Sequence, residues 1–100
     1  MSMALAQKLA ADSIAAVAEG RNLQDVLAQI RTAHPNLTAQ ENGALQDIAY
    51  GCQRYLGSLK HMLAQMLKKP IDNLQLESLL LSALYQLHYT RNAPHAVVNE

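Results

Sequence analysis

Hydrophobic positions along this chain recur every three or four residues, and the polar positions between them are punctuated by helix-starting and helix-stopping residues. The segment Met3 to Glu19 carries Leu5, Leu9, Ala16 and Val17 with alanines between, and Gly20 follows where a helix can close in the left-handed conformation. Asn22 then serves as an N-cap for a segment in which Leu23, Val26, Leu27 and Ile30 share one helical face. Pro35 stops that segment, because the residue before a proline is driven out of helical geometry. Thr38-Ala39-Gln40-Glu41 has the form of a capping box, in which threonine and glutamate side chains each satisfy a free backbone donor.

The longest regular stripe follows: Leu45, Ile48, Cys52, Tyr55, Leu59, Met62 and Met66, widened by Ala49, Leu56 and Leu63. It predicts a helix or helix pair from Thr38 to about Lys68 with one wide buried face. Gly51 and Gly57 lie inside it, so a kink or break is expected near Gly57-Ser58, with Ser58 available to cap a new start. After Pro70, Asp72 or Asn73 caps a helix with the stripe Leu76, Leu79, Leu80, Ala83, Leu84 and Leu87. Leu81 and Tyr85 make it apolar on more than one side, the pattern of a central helix. Asn92-Ala93-Pro94 ends it, and His95 to Glu100 reads as the first turn of another helix, the mark of a piece of a longer chain. No run alternates with period two, so the expected fold class is all-α, a helical bundle in preference to a coiled coil.

Composition narrows the class. The 100 residues are 50% hydrophobic and 16% charged with net charge zero, which suits one folded domain and excludes a disordered or low-complexity chain. The longest strongly apolar run, Leu79 to Leu87, is far shorter than the roughly 20 residues that span a bilayer. The alanine-rich start carries Asp12 and Glu19 and no basic stretch, so no signal peptide and no membrane partner are expected, and a cytoplasmic location is the default. There is one cysteine, Cys52, which forbids an internal disulfide and sits on the apolar stripe as a small hydrophobe. The four tyrosines are the whole aromatic content.

No catalytic constellation is visible. The chain lacks a glycine-rich phosphate loop, a GxSxG elbow and an HExxH pair, and its histidines at 34, 61, 88 and 95 never fall four apart. Asp25, Asp47 and Asp72 read as capping or solvated residues. Charge is more informative. Residues 1–47 and 72–100 are each net −2, whereas Ile48 to Ile71 hold Arg54, Lys60, Lys68 and Lys69 and no acid. On one continuous helix Arg54, His61 and Lys68 would share a face, each step about 10.5 Å, with Lys60 alongside, a ridge able to track a phosphate backbone. Tyr55 is expected to pack in the seam. Tyr89 and Arg91, beside Pro94 and His95, form a second polar cluster at a surface corner.

The strings Ala49-Tyr50-Gly51-Cys52-Gln53-Arg54-Tyr55, Leu74 to Tyr89, and Pro94-His95-Ala96-Val97-Val98-Asn99-Glu100 resemble the NusB-like family. More narrowly they resemble the N-terminal RNA-binding domain of the bacterial 16S rRNA cytosine-5 methyltransferases (the RsmB, Sun or Fmu group). The resemblance implies an all-helical RNA-binding domain of about seven helices, incomplete over residues 1–100. It implies a parent enzyme whose separate catalytic domain uses S-adenosylmethionine and a cysteine nucleophile on 16S ribosomal RNA. No catalytic, cofactor or metal residue is assigned in this chain, and Cys52 does not take the nucleophile's role. The motif positions carried over are Gly51, where the resemblance implies close approach of a neighbouring helix, Arg54, Pro94, Asn99 and Glu100. The candidate RNA contacts are Arg54, Lys60, Lys68, Lys69 and Arg91. Two alternatives stand beside this reading: a helical protein-interaction or oligomerisation module, including a homodimer, and a free-standing NusB-type antitermination factor. A first helix whose only base is Lys8 weighs against the latter.

Overall fold

The computed structural model describes residues 3–90, which form five helices and, among those residues, no strand: α1 (Met3–Ala18), α2 (Leu23–Ala33), α3 (Ala39–Arg54), α4 (Leu56–Met66) and α5 (Leu74–Tyr89). The all-α expectation is met. The punctuation read from the sequence also acts as expected. Gly20 takes φ 103°, its N–H donates to Val17 O at 2.9 Å, and the Arg21 N–H donates to Ala16 O at 3.1 Å, the paired closure that satisfies the last carbonyls of α1. Asn22 Oδ1 accepts the Asp25 N–H at 3.1 Å. The capping box is complete: Thr38 Oγ1 accepts from the Glu41 N–H at 3.0 Å and Glu41 Oε1 from the Thr38 N–H at 2.9 Å. Of the two candidate caps for α5, Asn73 serves, accepting the Leu76 N–H at 2.9 Å.

The five helices make a slab of 40 × 39 × 19 Å, whose short dimension is about two helix diameters. α1 packs against α2, α3 and α5, while α5 packs against α1, α3 and α4. The alanine-rich α1, featureless in the sequence, is therefore as central as α5. Ala6, Ala10 and Ser13 of α1 are fully buried, and Ser78 and Ser82 of α5 are 1% exposed. Small side chains on both helices let the backbones approach. Ser13 and Ser82 donate back to Ala10 O at 2.6 Å and Leu79 O at 2.8 Å, whereas the buried Ser78 hydroxyl has no hydrogen-bond partner among the described residues.

Three expectations are corrected. The break in the long stripe falls at Tyr55, two residues before Gly57-Ser58, and Ser58 caps nothing: it lies exposed inside α4. Tyr55 (φ −108°, ψ 22°) turns the chain while its N–H donates to Gly51 O at 3.0 Å and its carbonyl accepts from the Leu59 N–H at 2.9 Å. The new direction thus costs few backbone hydrogen bonds, and the Tyr55 ring holds it by stacking on Tyr89. Because α4 leaves the axis of α3, the stripe does not continue to its end; Leu59 and Leu63 are buried and Met66 is 67% exposed. Finally, α5 buries Ser78, Leu81, Ser82, Leu84 and Tyr85, and leaves Leu76, Leu79 and Leu87 exposed. The leucine stripe was the more hydropathic face, but the serine-bearing face is the one small enough to fit against α1. The expected end of α5 at Asn92-Ala93-Pro94 and the helix start at His95 lie outside the described residues.

Candidate nucleic-acid interface

The basic ridge does not form as one helical face. Arg54 is the last residue of α3, Lys60 and His61 lie on α4, and Lys68 and Lys69 lie in the link between α4 and α5. That link is made by local sequence: Leu67 is extended (φ −108°, ψ 137°), and Pro70 disfavours helical geometry at Lys69. The consequence is a different grouping. Lys60, Lys68 and Lys69 line one open cleft of about 350 Å³, floored by Leu63, Leu67 and Ile71 and shared with Glu77. All three lysines are exposed. The only ion pair among the described residues is Lys8–Asp12 at 3.0 Å, so none of the three lysines is tied to a carboxylate there. Arg91, Pro94, Asn99 and Glu100 lie outside the described residues.

Arg54 belongs to a second cleft of about 520 Å³. All four tyrosines of the chain line it. Tyr55 and Tyr89 stack with ring centroids 4.0 Å apart at 9°, and Tyr85 lies 5.9 Å from Tyr89 at 16°. Tyr85 reaches this place because Gly51 has no side chain: a Cβ there would run into the Tyr85 ring and hydroxyl. Gly51 is thus the close-approach position between α3 and α5 that the motif suggested. The Tyr85 hydroxyl donates to Asp47 Oδ1 at 2.8 Å. Burial first, then this bond and the Asp47 charge, push the Tyr85 phenol up to about 12. Asp47 is exposed, as expected, but also holds the Tyr85 hydroxyl, and Tyr89 is no isolated corner.

Cys52, on α3 between Gly51 and Arg54 of the tyrosine cleft, is fully buried and its thiol faces Leu81 O at 3.8 Å. Burial, and secondarily the charge of Asp47, push it up to about 12, so it stays an unreactive thiol at neutral pH. No group of three or more His, Cys, Asp or Glu side chains able to hold a metal occurs among the described residues. The tyrosine cleft is the feature the sequence reading missed. Its signals were the four-residue spacing of Tyr85 and Tyr89 on one helix face and the glycine following Tyr50.

Residues 4–100 match the family model described as the NusB family. The chain belongs to the NusB family. Similar curated proteins are named ribosomal RNA small subunit methyltransferase B. That of Pseudomonas putida is 36% identical over 93 residues, 84% of this chain and 21% of the relative. That of Pseudomonas syringae pv. tomato is 33% identical over 93 residues, 91% of this chain and 20% of the relative. That of Proteus mirabilis is 32% identical over 97 residues, 94% of this chain and 22% of the relative. The NusB-family chain therefore spans about a fifth of the length of the curated relatives it matches. No solved structure matches it.

Proposed function

We propose that this NusB-family chain is an RNA-binding domain that holds a segment of 16S ribosomal RNA in register for a cytosine-5 methyltransferase catalytic domain of the same parent enzyme. The observation that carries the reading is the grouping of Lys60, Lys68 and Lys69 around one cleft with no carboxylate ion-paired to them among the described residues. Cations set along a phosphate backbone release its condensed counterions, which gives affinity, and fix orientation without reading sequence. A chain of zero net charge adds little long-range attraction, so a local cluster contributes register more than strength. The relatives' printed names, which specify small-subunit ribosomal RNA as the substrate of a methyltransferase, support the same reading.

S-adenosylmethionine belongs to the catalytic domain in this account. The described residues do not fit it: five helices with no strand offer no strand-to-helix glycine turn of the kind that cradles a nucleotide. The work of this domain is binding and orientation in the cytoplasm, where ribosomal RNA is modified. No helix among the described residues is long and apolar enough to cross a membrane.

The test is fluorescence anisotropy of a short 16S rRNA hairpin titrated with the chain at low salt. The combined charge reversals Lys60→Glu, Lys68→Glu and Lys69→Glu are expected to abolish most of the binding, with Arg54→Glu lessening it separately. Equal binding by wild type and the triple variant removes the lysine cleft from the account. A second reading, a protein-interaction or self-association module, is favoured by the exposed Leu76, Leu79 and Leu87 on α5. Light scattering separates the two: self-association at rising concentration that RNA leaves unchanged, and that Leu76→Glu with Leu87→Glu abolishes, supports the second.

A further inference from the structure

The chain has no phenylalanine and no tryptophan, and Tyr85 is the one aromatic ring in its buried core cluster, with Tyr55 packed against it. All four tyrosines nevertheless line one open cleft, where Tyr50 is 39% and Tyr89 36% exposed. Leaving two large rings half in water forgoes burial that a purely structural role would use. The rings are also ordered. Tyr55 and Tyr89 are parallel within 9° at 4.0 Å, and Tyr85 continues the same orientation at 16° from Tyr89. That spacing is near the roughly 3.4 Å rise of stacked bases in a nucleic-acid strand.

The Tyr55 and Tyr85 centroids are 6.4 Å apart, so the three rings form a compact cluster, and two charged groups flank it. Arg54, exposed at the end of α3, has no carboxylate ion-paired to it among the described residues. Asp47 is held in place through Oδ1 by the Tyr85 hydroxyl, while its Oδ2 accepts no hydrogen bond among the described residues. A carboxylate repels phosphate and carbonyl oxygens and attracts the exocyclic amine of a base. A cation, flat parallel rings and an oriented hydrogen-bond acceptor in one cleft are the three parts of a nucleotide site: phosphate on arginine, base on the aromatic face, base edge on the carboxylate.

We infer that this tyrosine cleft takes one unpaired RNA nucleotide, its base stacked on Tyr89, its phosphate on Arg54, and its amino edge on Asp47 Oδ2. The inference rests on the RNA-binding reading and deepens it: the lysine cleft meets backbone, and the tyrosine cleft takes a base out of the stack. Adenine, cytosine and guanine present an exocyclic amine to Asp47. Uracil presents a single N–H between two carbonyl oxygens, which the carboxylate disfavours.

The experiment uses the full chain and four probes at low salt: the rRNA hairpin, an adenosine pentanucleotide, a uridine pentanucleotide and an abasic pentanucleotide of the same backbone. Tyrosine emission is the readout, because every tyrosine of the chain lines this cleft. The adenosine pentamer quenches the emission and binds more tightly than the uridine pentamer; the abasic pentamer binds more weakly and without quenching. Tyr89→Ala lowers affinity for the adenosine pentamer by roughly five- to a hundredfold, the range of one base–aromatic stack, while Tyr89→Phe retains it. Asp47→Asn, which keeps an acceptor for the Tyr85 hydroxyl and adds an amide donor, removes or reverses the preference for adenosine over uridine. Circular dichroism confirms that the variants fold, and Asp47→Asn keeps the test alive should Tyr89→Ala disturb α5. Equal affinity for base-bearing and abasic pentamers overturns the inference. So does indifference to Tyr89→Ala when the lysine reversals weaken every probe, and in that case the RNA-binding reading survives. Failure to bind the hairpin as well as the pentamers removes both.

Discussion

Replacing Gly51 with alanine puts the packing of α3 on α5 to a direct test. In an exposed helix interior the change would stabilise by about 1 kcal/mol, because alanine restricts the unfolded backbone. Here the added Cβ runs into the Tyr85 ring and hydroxyl. Tyr85 cannot yield cheaply: it is 6% exposed, packed among the tyrosine rings and bonded to Asp47 at 2.8 Å. Overpacking of this kind costs about 1–3 kcal/mol. Displacing the ring also weakens a hydrogen bond and an aromatic contact, each worth about 1 kcal/mol. Against the propensity gain, the net expectation is a loss of about 2 kcal/mol, or about 8–16 °C in Tm for a domain this small. Thermal and urea unfolding followed by circular dichroism measures it. Gly57→Ala is the internal control, because a Cβ at Gly57 meets nothing within 4 Å, and that variant should gain stability by up to about 1 kcal/mol. In the Tyr85→Leu background the Gly51→Ala penalty should largely vanish, a coupling that a double-mutant cycle isolates. Gly51→Ala as stable as Gly57→Ala would refute the close approach.

The packing face of α5 is tested by pairing Leu81→Ala, at a site 2% exposed, with Leu87→Ala, at one 59% exposed. The first should cost about 2–5 kcal/mol in urea unfolding and the second under about 0.5 kcal/mol; similar costs would restore the leucine stripe as the core face. The alkaline limb of the stability curve carries a second signature. Cys52 is raised from 9.0 to about 12 and Tyr85 from 10.0 to about 12, so the folded chain holds both protons where the unfolded chain releases them. Their contribution is complete below pH 9 and is lost as pH rises from 9 toward 12. The urea midpoint should therefore fall across that window, and fall less steeply in a Cys52→Ala, Tyr85→Phe variant; parallel curves would contradict the assignment.

Local punctuation was legible in the sequence because its physics is local. Gly20, Asn22, the Thr38–Glu41 box and Asn73 each act within four residues, and each does so here. What required the fold were matters of size and direction. Hydropathy pointed to the stripe Leu76, Leu79, Leu80, Ala83, Leu84 and Leu87 of α5, of which Leu84 is buried and Leu80 packs on the core, while Leu76, Leu79 and Leu87 are exposed and Ser78 and Ser82 are buried in their place. Glycine cost pointed to Gly57 as the break, but stacking between Tyr55 and Tyr89, 34 positions apart, fixes it at Tyr55. Once the helix turns there, equal seven-residue steps no longer place Arg54, His61 and Lys68 in line. Gly51 shows the intermediate case: its place in a motif indicated a close approach, while the partner, Tyr85, came only from the fold.

The reading turns on whether Lys60, Lys68 and Lys69 meet phosphates, and the salt dependence of binding measures that most directly. The affinity for a 16S rRNA hairpin should fall linearly on a logarithmic plot against salt, with a slope of about −0.7 to −0.9 for each phosphate engaged. Replacing the three lysines with glutamine should make that slope shallower by about 2–3, while leaving the helical content unchanged. An undiminished slope in the triple variant would contradict the account.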